Sequence, residues 1–119
     1  MLQIVPNLVI YLMCQPVDFR KGIDSLASLC RIQLAKDPQS GALFLFRNRR
    51  RTALKILTYD GQGYWLCLKR LSSGKLKWWP DTGEPLTQLA AHEVQTLLWN
   101  GDPTKADFDE AWKPIEPGW

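Results

Sequence analysis

The residues with the clearest chemical character are positively charged and lie in the middle of the chain. Residues 47–77 hold nine lysines and arginines against the single acid Asp60, a net charge of +8, whereas the whole 119-residue chain carries +3. Residues 78–119 carry −6. This asymmetry is typical of proteins that bind a polyanion. Two plainer interpretations stay open: a basic strand face that keeps the domain hydrated, and neutralisation by the acidic end of the chain.

Residue types that perform catalysis or bind metal do not form a recognisable set. His92 is the only histidine, and Cys14, Cys30 and Cys67 fall in apolar runs without CxxC spacing. This arrangement indicates neither a zinc site nor an activated thiol. Gly61-Gln62-Gly63 is too short for a phosphate-binding fingerprint. We therefore expect no enzyme activity, no catalytic residue, no metal and no cofactor.

The acids in the first half of the chain have local explanations. Asp18 precedes a predicted helix and is suited to be its N-cap or a first-turn acid. Asp60 precedes Gly61, and Asp-Gly is a strong signal for a two-residue hairpin turn. A small metal-dependent nuclease using Asp60 or Asp18 is therefore the weakest of three functional hypotheses, since two-metal chemistry needs convergent carboxylates.

Apolar periodicity predicts an α+β fold. Residues 8–13 read as a buried strand, and residues 21–35 as an amphipathic helix. Four short strands should follow at residues 42–46, 53–59, 64–70 and 75–79. Their short links leave no room for crossover helices, so they should form an antiparallel meander. A C-terminal helix is predicted over residues 86–98, giving one domain over residues 1–99 and an acidic, aromatic tail over residues 100–119.

A meander places its first and third turns at one end of the sheet, about 10 Å apart. We call the seven cations gathered there the basic rim: Arg47, Arg49, Arg50, Arg51, Lys69, Arg70 and Lys75. Lys55 and Lys77, on the same strands, are further candidates for nucleic-acid contact. A phosphate backbone would relieve the repulsion among these charges, and arginine forks suit phosphate or a guanine edge.

Aromatic residues alternate with the basic ones, as in Lys77-Trp78-Trp79. Such interleaving suits stacking on single-stranded nucleic acid. Large aromatic side chains are mostly buried, so we favour core packing for both Trp78 and Trp79.

No membrane-spanning or secretory segment is indicated. The longest apolar run, residues 8–14, is far shorter than the roughly 20 residues that span a bilayer. The scattered cysteines fit a reducing compartment. We expect a cytoplasmic protein that does not contact membranes.

Five segments occur in a fixed order: VDFRKGID at 17–24, DPQSG at 37–41, LFLFRNRRR at 43–51, KIL at 55–57, and KRL through KWWP over 69–80. In this order they resemble the TnpB (Orf2-like) accessory proteins of the insertion sequence 66 family of bacterial transposons, over about residues 5–98. Ser25, Thr52 and Tyr59 stand where Gly, Asp and Trp are usual in that family, and the segment after Trp99 does not match its short ending. The resemblance implies a role in DNA transposition beside a separate, larger transposase, and it supplies no catalytic residues.

These observations lead to one main hypothesis and one alternative. The main hypothesis is a non-enzymatic accessory protein of transposition that binds DNA, such as transposon ends, through the basic rim and supports the transposase. The alternative is a protein-interaction adaptor that docks onto the transposase without contacting DNA.

Overall fold

The computed structural model describes residues 8–104, which form an α+β fold. The elements in chain order are β1 (Ile10–Met13), α1 (Ile23–Ile32), β2 (Leu43–Arg47), β3 (Ala53–Tyr59), β4 (Tyr64–Arg70), β5 (Leu86–Leu89) and α2 (Ala91–Leu98). Residues from 105 onward, which include most of the predicted acidic tail, lie outside the described part of the chain.

The strands form one mixed sheet in the order β4-β3-β2-β1-β5. β1 pairs parallel with β2 and antiparallel with β5. β2, β3 and β4 are joined by two antiparallel hairpins, as expected from their short links. The α+β class is confirmed. The predicted four-stranded meander is wrong, because only three of its strands exist and they belong to a larger sheet.

Residues 75–79 were predicted to be the fourth strand, and instead they cross one face of the sheet. Leu76 and Trp79 are buried in the core on that face, and Trp79 Nε1–H donates to the Met13 carbonyl at 3.0 Å. Trp78 is partly buried against the same cluster, so the expectation of core packing for both tryptophans is confirmed. The chain takes this route because its next strand lies at the far edge of the sheet, beside β1.

The predicted helix over residues 86–98 is wrong in its first part, which forms strand β5. β5 pairs with the edge of β1 that β2 leaves open, so the backbone N–H and C=O groups of β1 find strand partners on both sides. Helix α2 begins only at Ala91, and the Glu93 carboxylate accepts the Ala90 N–H at 2.8 Å at its start.

The core lies on both faces of the central strands. On β2, Phe44 and Phe46 face α1, while Leu43 and Leu45 pack on the opposite side with residues of α2. The buried strand predicted at residues 8–13 corresponds to β1, where Ile10 and Leu12 are fully buried. The sheet is therefore covered by α1 on one face, and by α2 with the crossing segment on the other. Neither helix in this part of the chain is long and apolar enough to cross a membrane.

Candidate nucleic-acid interface

The strand directions bring three distant segments to one end of the sheet. β1 and β2 run parallel and finish there, β3 begins there, and β4 returns to it. The loop at residues 14–22, the turn at residues 47–52, which we call the arginine turn, and the link from β4 to β5 at residues 71–85 therefore share this end, which we call the basic end. The Asp60 turn lies at the opposite end of the sheet.

Asn48 organises the arginine turn. Its Oδ1 accepts the N–H groups of Thr52 and Ala53 at 2.9 and 3.1 Å, and its Nδ2 donates to Thr52 Oγ1 at 2.8 Å. Arg51 sits in the left-handed region at φ +61°, which costs a residue with a Cβ about 1–2 kcal/mol. Glycine would suit this backbone better, so the turn geometry does not explain the choice of arginine at position 51.

The arginine turn is hydrogen-bonded to the chain that follows β4. The Leu71 N–H donates to the Thr52 carbonyl at 2.9 Å, and the Leu76 N–H donates to the Arg51 carbonyl at 2.7 Å. Asn100 Oδ1 accepts the Lys77 N–H at 2.8 Å, and its Nδ2 donates to the Lys75 carbonyl at 3.2 Å. The first turn and the segment after β4 are thus in direct contact, closer than the sequence argument required.

Arg47 is partly buried and feels the charges of neighbouring residues at the basic end. Its guanidinium is half-buried, Nη1 donates to the Asn48 carbonyl at 3.2 Å, and the buried Nε has no hydrogen-bond partner within residues 8–104. Burial and then the charge of Arg51 lower the pKa of Arg47, and Asp81 acts in the other direction. Like charges at the basic end therefore interact in the free protein.

Lys55 is not a surface cation, unlike the other predicted contact residues. Its side chain is only 9% exposed, and Nζ donates to the carbonyls of Phe19 and Lys21 at 2.9 and 3.1 Å. Nζ also lies 4.9 Å from the centroid of the Phe19 ring. Lys55 fastens the loop at residues 14–22 to the sheet, and the geometry separates it from the nucleic-acid candidates.

The basic rim itself is assembled at the basic end. Arg49, Arg50, Lys69, Arg70 and Lys75 are exposed there, as is the flanking Lys77, while Arg47 and Arg51 are partly exposed. Lys69 Nζ donates to the Leu98 carbonyl in the last turn of α2, a position where a helix favours a positive charge.

A cleft of about 370 Å³ separates the arginine turn from the loop after β1. The Val17 N–H donates to the Arg47 carbonyl at 2.9 Å, which attaches that loop to the end of β2. The lining residues are Pro16, Val17, Asp18, Phe19, Asn48, Arg49 and Arg50. Residues 16–19 and 48–50, which are about 30 positions apart in the chain, thus form the two walls of one cleft.

Asp18 binds the neighbouring arginine and does not cap a helix. α1 begins at Ile23, after Gly22, so the prediction of Asp18 as its N-cap is wrong. The carboxylate accepts a 2.7 Å hydrogen bond from the Arg20 guanidinium and a 2.9 Å bond from the Arg20 N–H. These bonds lower the pKa of Asp18 to about 2.

Sequence reasoning missed Arg20 and Lys21 as members of the basic end. Both are exposed, and Arg20 keeps 92% of its side chain accessible despite the ion pair with Asp18. They were overlooked because residues 1–46 have a net charge of only +1. The signal that could have found them is a parallel β1–β2 pair, which places the loop after β1 beside the turn after β2.

Asp60 has a structural role at the opposite end of the sheet. Its Oδ1 accepts the N–H groups of Gln62 and Gly63 at 2.9 Å each, and its Oδ2 accepts Trp65 Nε1–H at 2.8 Å. These bonds, the Gln62 N–H first, lower the pKa of Asp60. Asp18 and Asp60 cannot share a metal ion because the sheet separates them. Residues 8–104 contain no group of three or more His, Cys, Asp or Glu side chains suited to hold one.

Comparisons with known proteins agree with the order of segments along the chain. Residues 8–107 match the family described as IS66 Orf2 like protein. An uncharacterized protein of Sinorhizobium fredii, y4jC, is 41% identical over 102 residues, which cover 86% of each chain. A second uncharacterized protein of that organism, y4hO, is 31% identical over 112 residues, covering 94% of this chain and 95% of the relative. No solved structure matches the chain.

Proposed function

The chain belongs to the IS66 Orf2-like family, whose members are associated with transposition, and we propose that it is a non-enzymatic accessory protein that binds DNA at the basic end. Transposon ends are the proposed DNA, a separate transposase of the same element is the proposed protein partner, and the cytoplasm is the proposed location. Catalysis is left to the transposase.

One observation carries this proposal: three chain segments bring an excess of cations to a single end of the fold. The exposed or partly exposed cations there are Arg20, Lys21, Arg47, Arg49, Arg50, Arg51, Lys69, Arg70, Lys75 and Lys77. The acids in the same segments are Asp18, which is paired with Arg20, Asp81 and Glu84, and they neutralise only a fraction of this charge. A polyanion bound at this end would relieve the repulsion and release its own counterions.

The shape of the arginine turn suits nucleic acid in particular. Arg49 and Arg50 stand exposed in the turn between the two central strands β2 and β3, and their guanidinium forks suit phosphate or a guanine edge. Arginine at the left-handed position 51 is conformationally unfavourable and adds charge to this turn. Such a cost at an exposed turn is more consistent with a binding role than with a folding role.

The adaptor alternative is supported by the cleft beside the turn. Its walls combine the apolar Val17 and Phe19 with the cationic Arg49 and Arg50. An acidic segment of a transposase with one or two apolar side chains would fit this combination. In that case Arg49 and Arg50 would bind carboxylates of a protein in place of phosphates.

Fluorescence anisotropy with duplex DNA across a salt series tests the proposal. Each phosphate neutralised contributes about −0.9 to the slope of log Kobs against log[salt]. The R49Q/R50Q double variant should reduce the magnitude of the slope by about 1.8, if each arginine neutralises one phosphate. The R31Q/K36Q double variant is the matched control, because it removes the same charge from the last turn of α1 and from the loop after it, where Lys36 Nζ lies 4.9 Å from the centroid of the Tyr11 ring.

Two results would reject DNA binding at this end. One is wild-type affinity that does not respond to salt. The other is an equal loss of affinity in the two double variants, because that would reflect net charge alone. Binding of R49Q/R50Q to DNA at wild-type strength, combined with loss of transposase capture, would favour the adaptor.

A further inference from the structure

Strand β4 leaves one edge of the sheet open. It is seven residues long and is hydrogen-bonded to β3 on one side only. Trp65 and Leu68 are 55% and 58% exposed, on opposite faces of the strand. A long edge strand with exposed apolar side chains is a template for pairing with another strand.

The hairpin fixes which backbone groups of β4 point outward. The Asp60 N–H donates to the Gly63 carbonyl, and the Leu71 N–H donates to the Thr52 carbonyl. Ladder bonds in an antiparallel pair alternate, so residues 65, 67 and 69 bond to β3. Residues 64, 66, 68 and 70 therefore direct their N–H and C=O groups toward the open edge.

We propose that the partner on this edge is a second copy of the chain, with its β4 antiparallel to the first. A twofold axis perpendicular to the sheet relates the two copies, so a side chain lies on the same face of the joined sheet in both. Residues paired across the axis must share a face, and faces alternate along the strand. The two residue numbers of every pair therefore add up to an even number. Among these registers, the one with Cys67 on the axis pairs all seven residues. It places Tyr64 opposite Arg70 of the second copy and Leu66 opposite Leu68, and all four positions have outward-facing backbone groups.

The side chains of β4 are complementary to themselves in this register. The exposed Leu68 meets Leu66 of the second copy on one face. On the other face Lys69, whose Nζ donates to the Leu98 carbonyl of its own copy, lies opposite Trp65, whose indole N–H is bonded to the Asp60 carboxylate. The cationic end of each strand therefore lies against the aromatic and acidic end of the other, which is the charge complementarity that favours a second copy.

This dimer does not depend on DNA binding. Joining the two edges makes one continuous sheet from two five-stranded ones, with the two basic ends facing in opposite directions. Failure of the DNA proposal would leave the dimer untouched, and failure of the dimer would leave each basic end intact.

Oxidative cross-linking tests the register directly. The two copies of Cys67 would form a pair without ladder bonds, with Cα atoms about 4.5 Å apart, within the range that a disulfide bridges. The full chain is treated with copper(II)–phenanthroline, which takes two electrons from the two thiols while their protons go to solvent. We expect rapid formation of a covalent dimer, and C67S should abolish it. Cys14 and Cys30 are 1% and 0% exposed and should not contribute.

Variants at position 68 separate strand pairing from random collision. L68P removes an N–H that points away from β3, so the β3–β4 ladder is retained, while L68T keeps that N–H. L68P should lose cross-linking through Cys67 and sediment as a monomer, whereas L68T should do neither. C67S/L68C should not cross-link, because its cysteines would be diagonal neighbours about 7–8 Å apart.

Three outcomes would overturn the proposal. The first is wild-type chain that sediments as a monomer at every concentration tested. The second is L68P, with unchanged circular dichroism, that cross-links as fast as wild type. The third is a C67S/L68C chain that cross-links more readily than wild type, because the axis would then pass through position 68.

Discussion

Replacing Lys55 with methionine separates a structural lysine from a DNA-binding one. Methionine keeps most of the apolar stem but removes the ammonium that donates to the carbonyls of Phe19 and Lys21 at 2.9 and 3.1 Å. Lys55 is only 9% exposed, and methionine supplies no donor in place of its ammonium. The change therefore loosens the loop that forms one wall of the cleft.

The expected cost is about 2 kcal/mol of unfolding free energy. Hydrogen bonds from a charged group contribute about 1.5–3 kcal/mol, and the contact with the Phe19 ring adds about 0.5–1 kcal/mol. Relief from burying the Lys55 ammonium offsets part of this sum. With a denaturant dependence of about 2 kcal/mol per molar urea, the midpoint of unfolding should fall by about 1 M.

Urea unfolding and DNA anisotropy together provide the assay, with the exposed Lys75→Met as the matched control. Lys75→Met should change stability by no more than about 0.5 kcal/mol, and should reduce the magnitude of the salt slope by about 0.9 if it contacts a phosphate. Lys55→Met should do the reverse: lower stability and leave the slope unchanged while folded. A Lys55→Met chain as stable as wild type, or one with a reduced slope, would refute this reasoning.

Three further changes test the basic end and its surroundings. Asp18→Asn frees the Arg20 guanidinium and should strengthen DNA binding with a steeper salt slope. Since the pKa of Asp18 is about 2, its carboxylate is charged and holds Arg20 at both pH 5 and pH 8. Anisotropy should therefore show the same gain in affinity at the two pH values. Arg51→Gly relieves a positive φ and should raise stability by up to about 1 kcal/mol in thermal unfolding while weakening DNA binding. Burial raises the pKa of the Cys30 thiol to about 12, so Cys30 should stay protonated at pH 9. It should then react with Ellman's reagent far more slowly than the partly exposed Cys67. Equal reaction rates of the two thiols in the folded chain would contradict the burial of Cys30.

Local signals in the sequence predicted the three consecutive strands and their hairpins. The Asp60-Gly61 turn and the short link after Arg47 each join neighbouring segments, so their pairing needs no information from elsewhere in the chain. Residues 75–79 and 86–89 were assigned wrongly for the opposite reason. Their state depends on the open edge of β1, more than 60 positions away, and alternation of residue types does not reveal that partner.

In the candidate site, too, local sequence signals predicted some residues correctly, and contacts between distant segments decided the others. The arginines of the turn were found because they are adjacent in sequence and a turn is exposed. Lys55 was assigned to the surface because strand alternation does not tell which faces of a sheet are covered. Arg20 was missed because it reaches the basic end through the parallel pairing of β1 with β2, a contact between distant segments.

Nuclear magnetic resonance mapping of the DNA-bound surface tests the central claim most directly. Amide shifts of the ¹⁵N-labelled chain are followed while a duplex is added at low salt. The basic end predicts perturbations confined to residues 18–22, 47–52 and 69–77, with little change at the 37–41 and 60–63 turns. Shifts concentrated at those two turns, or spectra that DNA leaves unchanged, would contradict it.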